Sequence, residues 1–167
     1  GADLGQYLTN HPRIRMVSFT GGEATAEAIV KATGLKKYSF DLGGNAPVIV
    51  TDSADVDAAV SGCISGPFWA NGHNCISVQR ILVHEYLFDE FTHQFLSQVA
   101  ELNQGDPKHE ATDLGPVISD KQADRIRNII NQSRELDADS LRLGGEVAKR
   151  MIEPTVFVNP NTTAPCI

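Results

Sequence analysis

Cys75 is the residue of this chain best suited to do chemistry. It lies in Phe68-Trp69-Ala70-Asn71-Gly72-His73-Asn74-Cys75-Ile76-Ser77, between an apolar helical pattern and a short β-branched run. Gly72 permits a sharp turn there, and in a sheet covered by helices such a turn faces the crevice at the strand ends where ligands bind. A thiolate in that place is a strong nucleophile for a carbonyl carbon. The competing reading is a free cysteine acting as a small buried hydrophobe. The surrounding residues leave both open. His73, two positions earlier, raises a Cys–His pair, but no third residue to orient the imidazole is evident.

Asp41 is the most suggestive carboxylate. It ends an alternating segment and precedes Leu42-Gly43-Gly44, where glycines let a ligand approach the backbone. A plain strand-end turn aspartate is the alternative. Gly21-Gly22, after one apolar run and before a helical pattern, could face a phosphate with a helix N-terminus. Two glycines are a weak signal, because no GxGxxG is present. Asp52, Asp55 and Asp57 read as a helix start rather than a metal cluster. His11, His84, His93 and His109 show no metal-ligand spacing, so no metal site is expected. Cys63 falls on an apolar helical face and reads as core; Cys166 lies near the terminus.

The elements that must position these residues alternate between strand and helix patterns. Met16–Phe19 is a short apolar run, followed from Glu23 by a helix with Ala26, Ile29 and Val30 on one face. Tyr38, Phe40 and Leu42 alternate with polar neighbours, which is strand periodicity. Val48–Val50 is a second strand, and Val56, Ala59, Val60, Cys63 and Ile64 mark a helix, with Asp52 as its expected cap. Pro67 should kink or end that helix. Ile81–Val83 is a third strand. Phe88, Phe91, Phe95, Val99 and Leu102 lie on one face of a long helix. Ser119 with Gln122 forms a capping-box pattern ahead of Ile126. Thr155–Val158 is a last run, and Asn159–Ile167 reads as loop. This order predicts an α/β fold, a mostly parallel sheet flanked by helices.

Composition narrows the function classes. The 167 residues are 41 % hydrophobic and 21 % charged, ordinary for a globular protein that folds without staples. The net charge of −7 and the absence of a basic stripe argue against nucleic acid and anionic membrane as partners. The longest apolar run, Ala46–Val50, is far too short to span a bilayer, and no signal segment opens the chain. Three cysteines without framework spacing point to a reducing cytoplasm.

Several blocks resemble the aldehyde dehydrogenase superfamily. They are Phe19-Thr20-Gly21, then Asp41-Leu42-Gly43-Gly44-Asn45-Ala46-Pro47, then Asp55-Val56-Asp57-Ala58-Ala59-Val60, then Asn71-Gly72-His73-Asn74-Cys75 with Arg80. The family's order is FTGS, ELGG(K/N)xP, DADxDxAV and GQxC ahead of an arginine. Asp113–Pro116 and Glu153–Phe157 resemble later blocks, so the likeness runs over essentially the whole chain.

The resemblance implies an enzyme that oxidises an aldehyde to a carboxylic acid with NAD or NADP. Cys75 would be the nucleophile, forming a thiohemiacetal and then a thioester, and Asp41 the general base for hydrolysis. Gly21, Gly22 and Leu42 would touch the cofactor. Asp41 stands where the family usually has glutamate, which bears on deacylation, and His73 stands where glutamine is common. The Leu-Gly-Gly-Asn-Ala-Pro variant is similar to members acting on semialdehydes and small hydroxyaldehydes. Alternatives are a coenzyme-A-acylating dehydrogenase and a non-catalytic paralogue. Residues 1–36 would be the last strand–helix piece of the NAD(P)-binding domain, and residues 37–167 part of the thiol-bearing catalytic domain. Family members are much longer and form dimers or tetramers. The resemblance therefore implies a homo-oligomeric parent, and a segment that is inactive by itself.

Overall fold

The computed structural model describes residues 2–167. Its chain forms two compact units, Gly1–Gly44 with Asn74–Ile76, and Asn45–His73 with Ser77–Ile167.

The first unit contains helix α1 (Ala2–Asn10), strand β1 (Met16–Thr20), helix α2 (Glu23–Thr33) and strand β2 (Lys37–Asp41). β1 and β2 pair in parallel, with Val17 opposite Tyr38, Phe19 opposite Phe40 and Thr20 opposite Asp41. A parallel pair needs a crossover, and α2 supplies it. Val17 and Ala26 are buried, and the Phe19 and Phe40 rings meet edge to face at 6.3 Å. The Lys36 ammonium donates to the carbonyls of Thr9 and His11, at 2.6 and 2.9 Å, and ties the end of α1 to the entry of β2.

The second unit repeats the logic at larger scale. Strand β3 (Ala46–Val50) runs parallel to β4 (Val78–Val83), with helix α3 (Val56–Phe68) between them in sequence and α4 (Phe88–Ala100) after them. Strand alternation sends Val48, Val50, Ile81 and Val83 toward the core and leaves Ile49 and Leu82 exposed on the other face. Val50, Val60, Cys63, Phe91, Phe95 and Val99 form that core. Phe91 and Phe95, one turn apart on α4, stack at 5.7 Å. Helix α4 ends at Ala100, so Leu102 packs against the core from beyond the helix.

The cap of α3 is Asp55 rather than Asp52. Asp55 has extended backbone immediately before the first helical residue, and its carboxylate accepts the Ala58 N–H at 2.9 Å; Asp52 lies in the preceding turn. Geometry decides this, since a cap must stand next to the first helical residue. Pro67 ends α3 one residue later, as its missing N–H requires. Ser119 caps α5 (Asp120–Leu136) by accepting the Gln122 N–H. The remaining strands are short and antiparallel: β5 (Leu141–Leu143) pairs with β8 (Val156–Phe157), and β6 (Val147–Ala148) with β7 (Met151–Ile152). Among the described residues, no helix is long and apolar enough to cross a membrane.

Candidate active site

All five residues singled out for catalysis or cofactor contact, Gly21, Gly22, Asp41, Leu42 and Cys75, lie in the first unit. The parallel register explains part of this. Thr20 is level with Asp41, and one residue on, the Gly21 N–H donates to the Asp41 carbonyl at 3.0 Å. Gly22 caps α2 with extended backbone and no side chain, and its carbonyl accepts the N–H groups of Thr25 and Ala26. A Cβ at Gly22 would meet open space, so packing does not demand glycine there.

Cys75 is exposed, and its thiol lies 3.8 Å from Asp41 Oδ2 and 3.8 Å from Asn74 Oδ1. Asn74 Oδ1 also accepts the Ile76 N–H at 3.3 Å, which fixes the amide across the cysteine. Among the described residues the thiol's acceptors are therefore Asp41 and Asn74. The turn after β2 also meets the cysteine's main chain. A Cβ on Gly44 would stand 2.7 Å from the Cys75 carbonyl oxygen, whereas one on Gly43 would meet nothing within 4 Å. Only the second glycine is required by close approach.

Leu42 is half-buried and points to a different feature. With Phe40 and the α2 residues Glu23, Ala26, Glu27 and Val30, it lines a cleft of about 380 Å³. The first turn of α2 begins beside it at Glu23. Lys31 lines it too, and its ammonium pairs with the Glu27 carboxylate at 2.9 Å, leaving Glu23, among the described residues, as the unpaired carboxylate of the lining. Chemically, the unit presents an accessible thiol, a carboxylate close enough to exchange a proton with whatever is bonded to that sulfur, and a half-apolar cleft nearby in sequence terms at the end of β2. Among the described residues, no group of three metal-capable side chains forms.

Cys63 is 2 % exposed in the second unit's core, and burial pushes its thiol pKa up. Cys166 is half-buried, its N–H donating to Ser133 Oγ at 3.1 Å. The Arg80 guanidinium donates to the Asn45 carbonyl at 3.3 Å, joining two of the family-like blocks.

Sequence reasoning missed Asn71. Ala70, Asn71 and Gly72 have φ of 52°, 55° and 71°, three left-handed residues in a row. Asn71 Oδ1 accepts the Gly115 N–H at 2.9 Å across 44 positions of sequence. The Asn-Gly dipeptide signals a turn, but nothing local announces a partner so distant.

Comparison with known proteins identifies the family. The model of the aldehyde dehydrogenase family matches residues 1–167. An aldehyde-dehydrogenase-like protein of Sinorhizobium fredii is 48 % identical over 86 % of this chain and 28 % of its own length. Aspartate-semialdehyde dehydrogenase 1 of Pseudomonas canavaninivorans is 44 % identical over 84 % of this chain and 30 % of its own. A glyceraldehyde-3-phosphate dehydrogenase of Methanocaldococcus jannaschii, solved with NADP, superposes with a TM-score of 0.84 at 37 % identity, over 91 % of this chain and 33 % of that one. The chain thus spans about a third of the length of the curated relatives it matches. With the family model covering every residue, the chain belongs to the aldehyde dehydrogenase family.

Proposed function

We propose that Cys75 and Asp41 are the nucleophile and general base of an enzyme that oxidises an aldehyde to a carboxylic acid with NAD or NADP. The observation that carries this reading is the exposed thiol 3.8 Å from the Asp41 carboxylate at the turn after β2. The Cys75 sulfur, as thiolate, adds to the aldehyde carbon and gives a thiohemiacetal, whose oxyanion the Cys75 N–H helps to hold. NAD or NADP, held at Gly21, Gly22 and Leu42, would supply the hydride acceptor for this carbon. The resulting thioester on Cys75 is attacked by water; Asp41 takes the water's proton, the carbon–sulfur bond breaks, and the acid and free thiol return.

The residues at hand fit one edge of a dinucleotide. The cleft beside Leu42 and the first turn of α2 suit a flat ring and nearby backbone contacts from Gly21 and Gly22. We assign residues 1–36 to the cofactor domain and residues 37–167 to the catalytic domain, and expect a homo-oligomer. The substrate class we favour is a semialdehyde or small hydroxyaldehyde, supported by the names of the Pseudomonas and Methanocaldococcus relatives.

The test uses a polypeptide of the relatives' full length. Cys75→Ser should abolish aldehyde-dependent reduction of NAD or NADP, and Cys63→Ser should retain it; the opposite pattern refutes the assignment. Asp41→Asn should slow acid release by ~10²-fold, in line with removal of a general base, and leave an acyl group on Cys75 visible by mass spectrometry. Product formation that depends on added coenzyme A would instead make that thiol the acyl acceptor.

A further inference from the structure

The segment that carries the thiol is held at both stems by polar contacts inside the second unit. Asn74–Ile76 belongs with the first unit, while His73 before it and Ser77 after it belong with the second. Ser77 is 2 % exposed, and its hydroxyl lies 3.4 and 3.3 Å from the carbonyls of Gly66 and Pro67, at the end of α3. On the other stem, the chain passes through Ala70, Asn71 and Gly72, all left-handed. That conformation is natural for glycine and tolerable for asparagine, and it is unfavourable for alanine. Strained residues of this kind persist when something outside the turn holds them. Here the outside contact is the Asn71 amide oxygen on the Gly115 N–H at 2.9 Å. Gly115 is itself fixed, because its loop closes on Asn103 through the N–H groups of Asp113 and Leu114 and through the Asp113 carboxylate.

We propose that Asn71 is a positioning residue for Cys75: by accepting the Gly115 N–H it holds the left-handed turn that leads into the thiol-bearing segment. The proposal rests on the reading of Cys75 as nucleophile, yet it can be tested without aldehyde chemistry, on the 167-residue chain itself. Three variants separate its parts. Asn71→Asp keeps an acceptor oxygen and tolerates the left-handed region. Asn71→Gly keeps the conformation and removes the acceptor. Asn71→Ala loses both.

Two quantities are read for each variant: exchange of the Gly115 amide by NMR, and the rate at which iodoacetamide modifies Cys75, located by mass spectrometry. Buried Cys63 serves as the marker of global unfolding. Asn71→Gly and Asn71→Ala should lose protection at Gly115 and free the thiol from its acceptors. Cys75 should then react about fivefold faster, the factor that one net hydrogen bond contributes to an opening equilibrium, while Cys63 stays unmodified. Asn71→Asp should restore both quantities to within about twofold of the original protein. The proposal is overturned if Gly115 loses protection in Asn71→Gly while Cys75 reacts at its original rate, since the contact is then structural only. It is equally overturned if Asn71→Asp reacts like Asn71→Gly. Should Asn71→Ala expose Cys63 by unfolding, the glycine and aspartate variants decide. Cys75 failing as the nucleophile in the turnover assay would leave these alkylation results standing, so the two readings fail separately.

Discussion

Cys63 and Cys75 stand in regions built on opposite terms. Around Cys63, Val50, Val60, Phe91, Phe95 and Val99 close a core between the β3–β4 sheet and helices α3 and α4. Around Cys75, the neighbours are a carboxylate, an amide and the backbone of a glycine turn, and the thiol is exposed. The first unit, which carries that thiol, buries only Val17 and Ala26 among its described hydrophobic residues. The same side chain is thus shielded where burial dominates, and accessible where polar contacts hold it in reach of water. The buried core and the exposed thiol lie in different units.

The largest effect that could break this comparison is in the core. Phe95→Ala should destabilise the chain by about 3–5 kcal/mol, as deletion of a buried aromatic does. Chemical denaturation followed by α-helical circular dichroism would check it, and a loss under about 1 kcal/mol would mean the core is not where the stability lies.

Next come the glycines of the turn after β2. Gly44→Ala forces a Cβ against the Cys75 carbonyl and should cost about 1–3 kcal/mol, as overpacking does. Gly43→Ala meets open space and should be tolerated; equal melting temperatures for the two variants would remove the close-approach argument.

The cysteines themselves give a paired measurement of similar size. Cys63→Ser puts a hydroxyl into the apolar core and should cost about 1–3 kcal/mol, whereas Cys75→Ser should shift stability by less than about 0.5 kcal/mol. Asp55→Ala removes the α3 cap and should cost about 1 kcal/mol; Asp52→Ala should cost little, and the reverse order would restore Asp52 as the cap.

The smallest effect is a pH slope. Burial raises the Cys63 thiol above its ordinary value of 9.0, so the folded state keeps a proton that the unfolded chain gives up. That contribution is fully present below about pH 9 and is lost as pH rises toward the folded value. Denaturation midpoints measured across that window should fall less steeply in Cys63→Ala than in the original protein.

Much of this was legible in the residues because it depends on local periodicity. The alternation Tyr38, Phe40 marked β2, the spacing Phe91, Phe95, Val99 marked the buried face of α4, and Ser119 marked the start of α5. Cys63 read as core from its place among apolar neighbours on α3, and the structure agrees. Asp52 was misread because three aspartates in a row of six residues look alike until the backbone chooses which one precedes the first helical residue.

What the sequence determined by itself is the order of elements, the family-like blocks, and Cys75, Asp41, Gly21, Gly22 and Leu42 as the residues worth watching. The element order, Cys75, Asp41 and the Gly21-Gly22 pair follow from side-chain type and spacing along the chain; Leu42 as a cofactor contact is what the family resemblance implies. Only the tertiary structure decided which of them meet. It brought Asp41 within 3.8 Å of a thiol 34 positions away, set Gly44 rather than Gly43 against the Cys75 carbonyl, and gave Asn71 its partner in Gly115. Contacts of that kind depend on the parallel register of β1 and β2 and on loops folding back over tens of residues. No local pattern encodes them, because the free energy that selects them comes from burial and hydrogen bonding between segments that are distant in sequence.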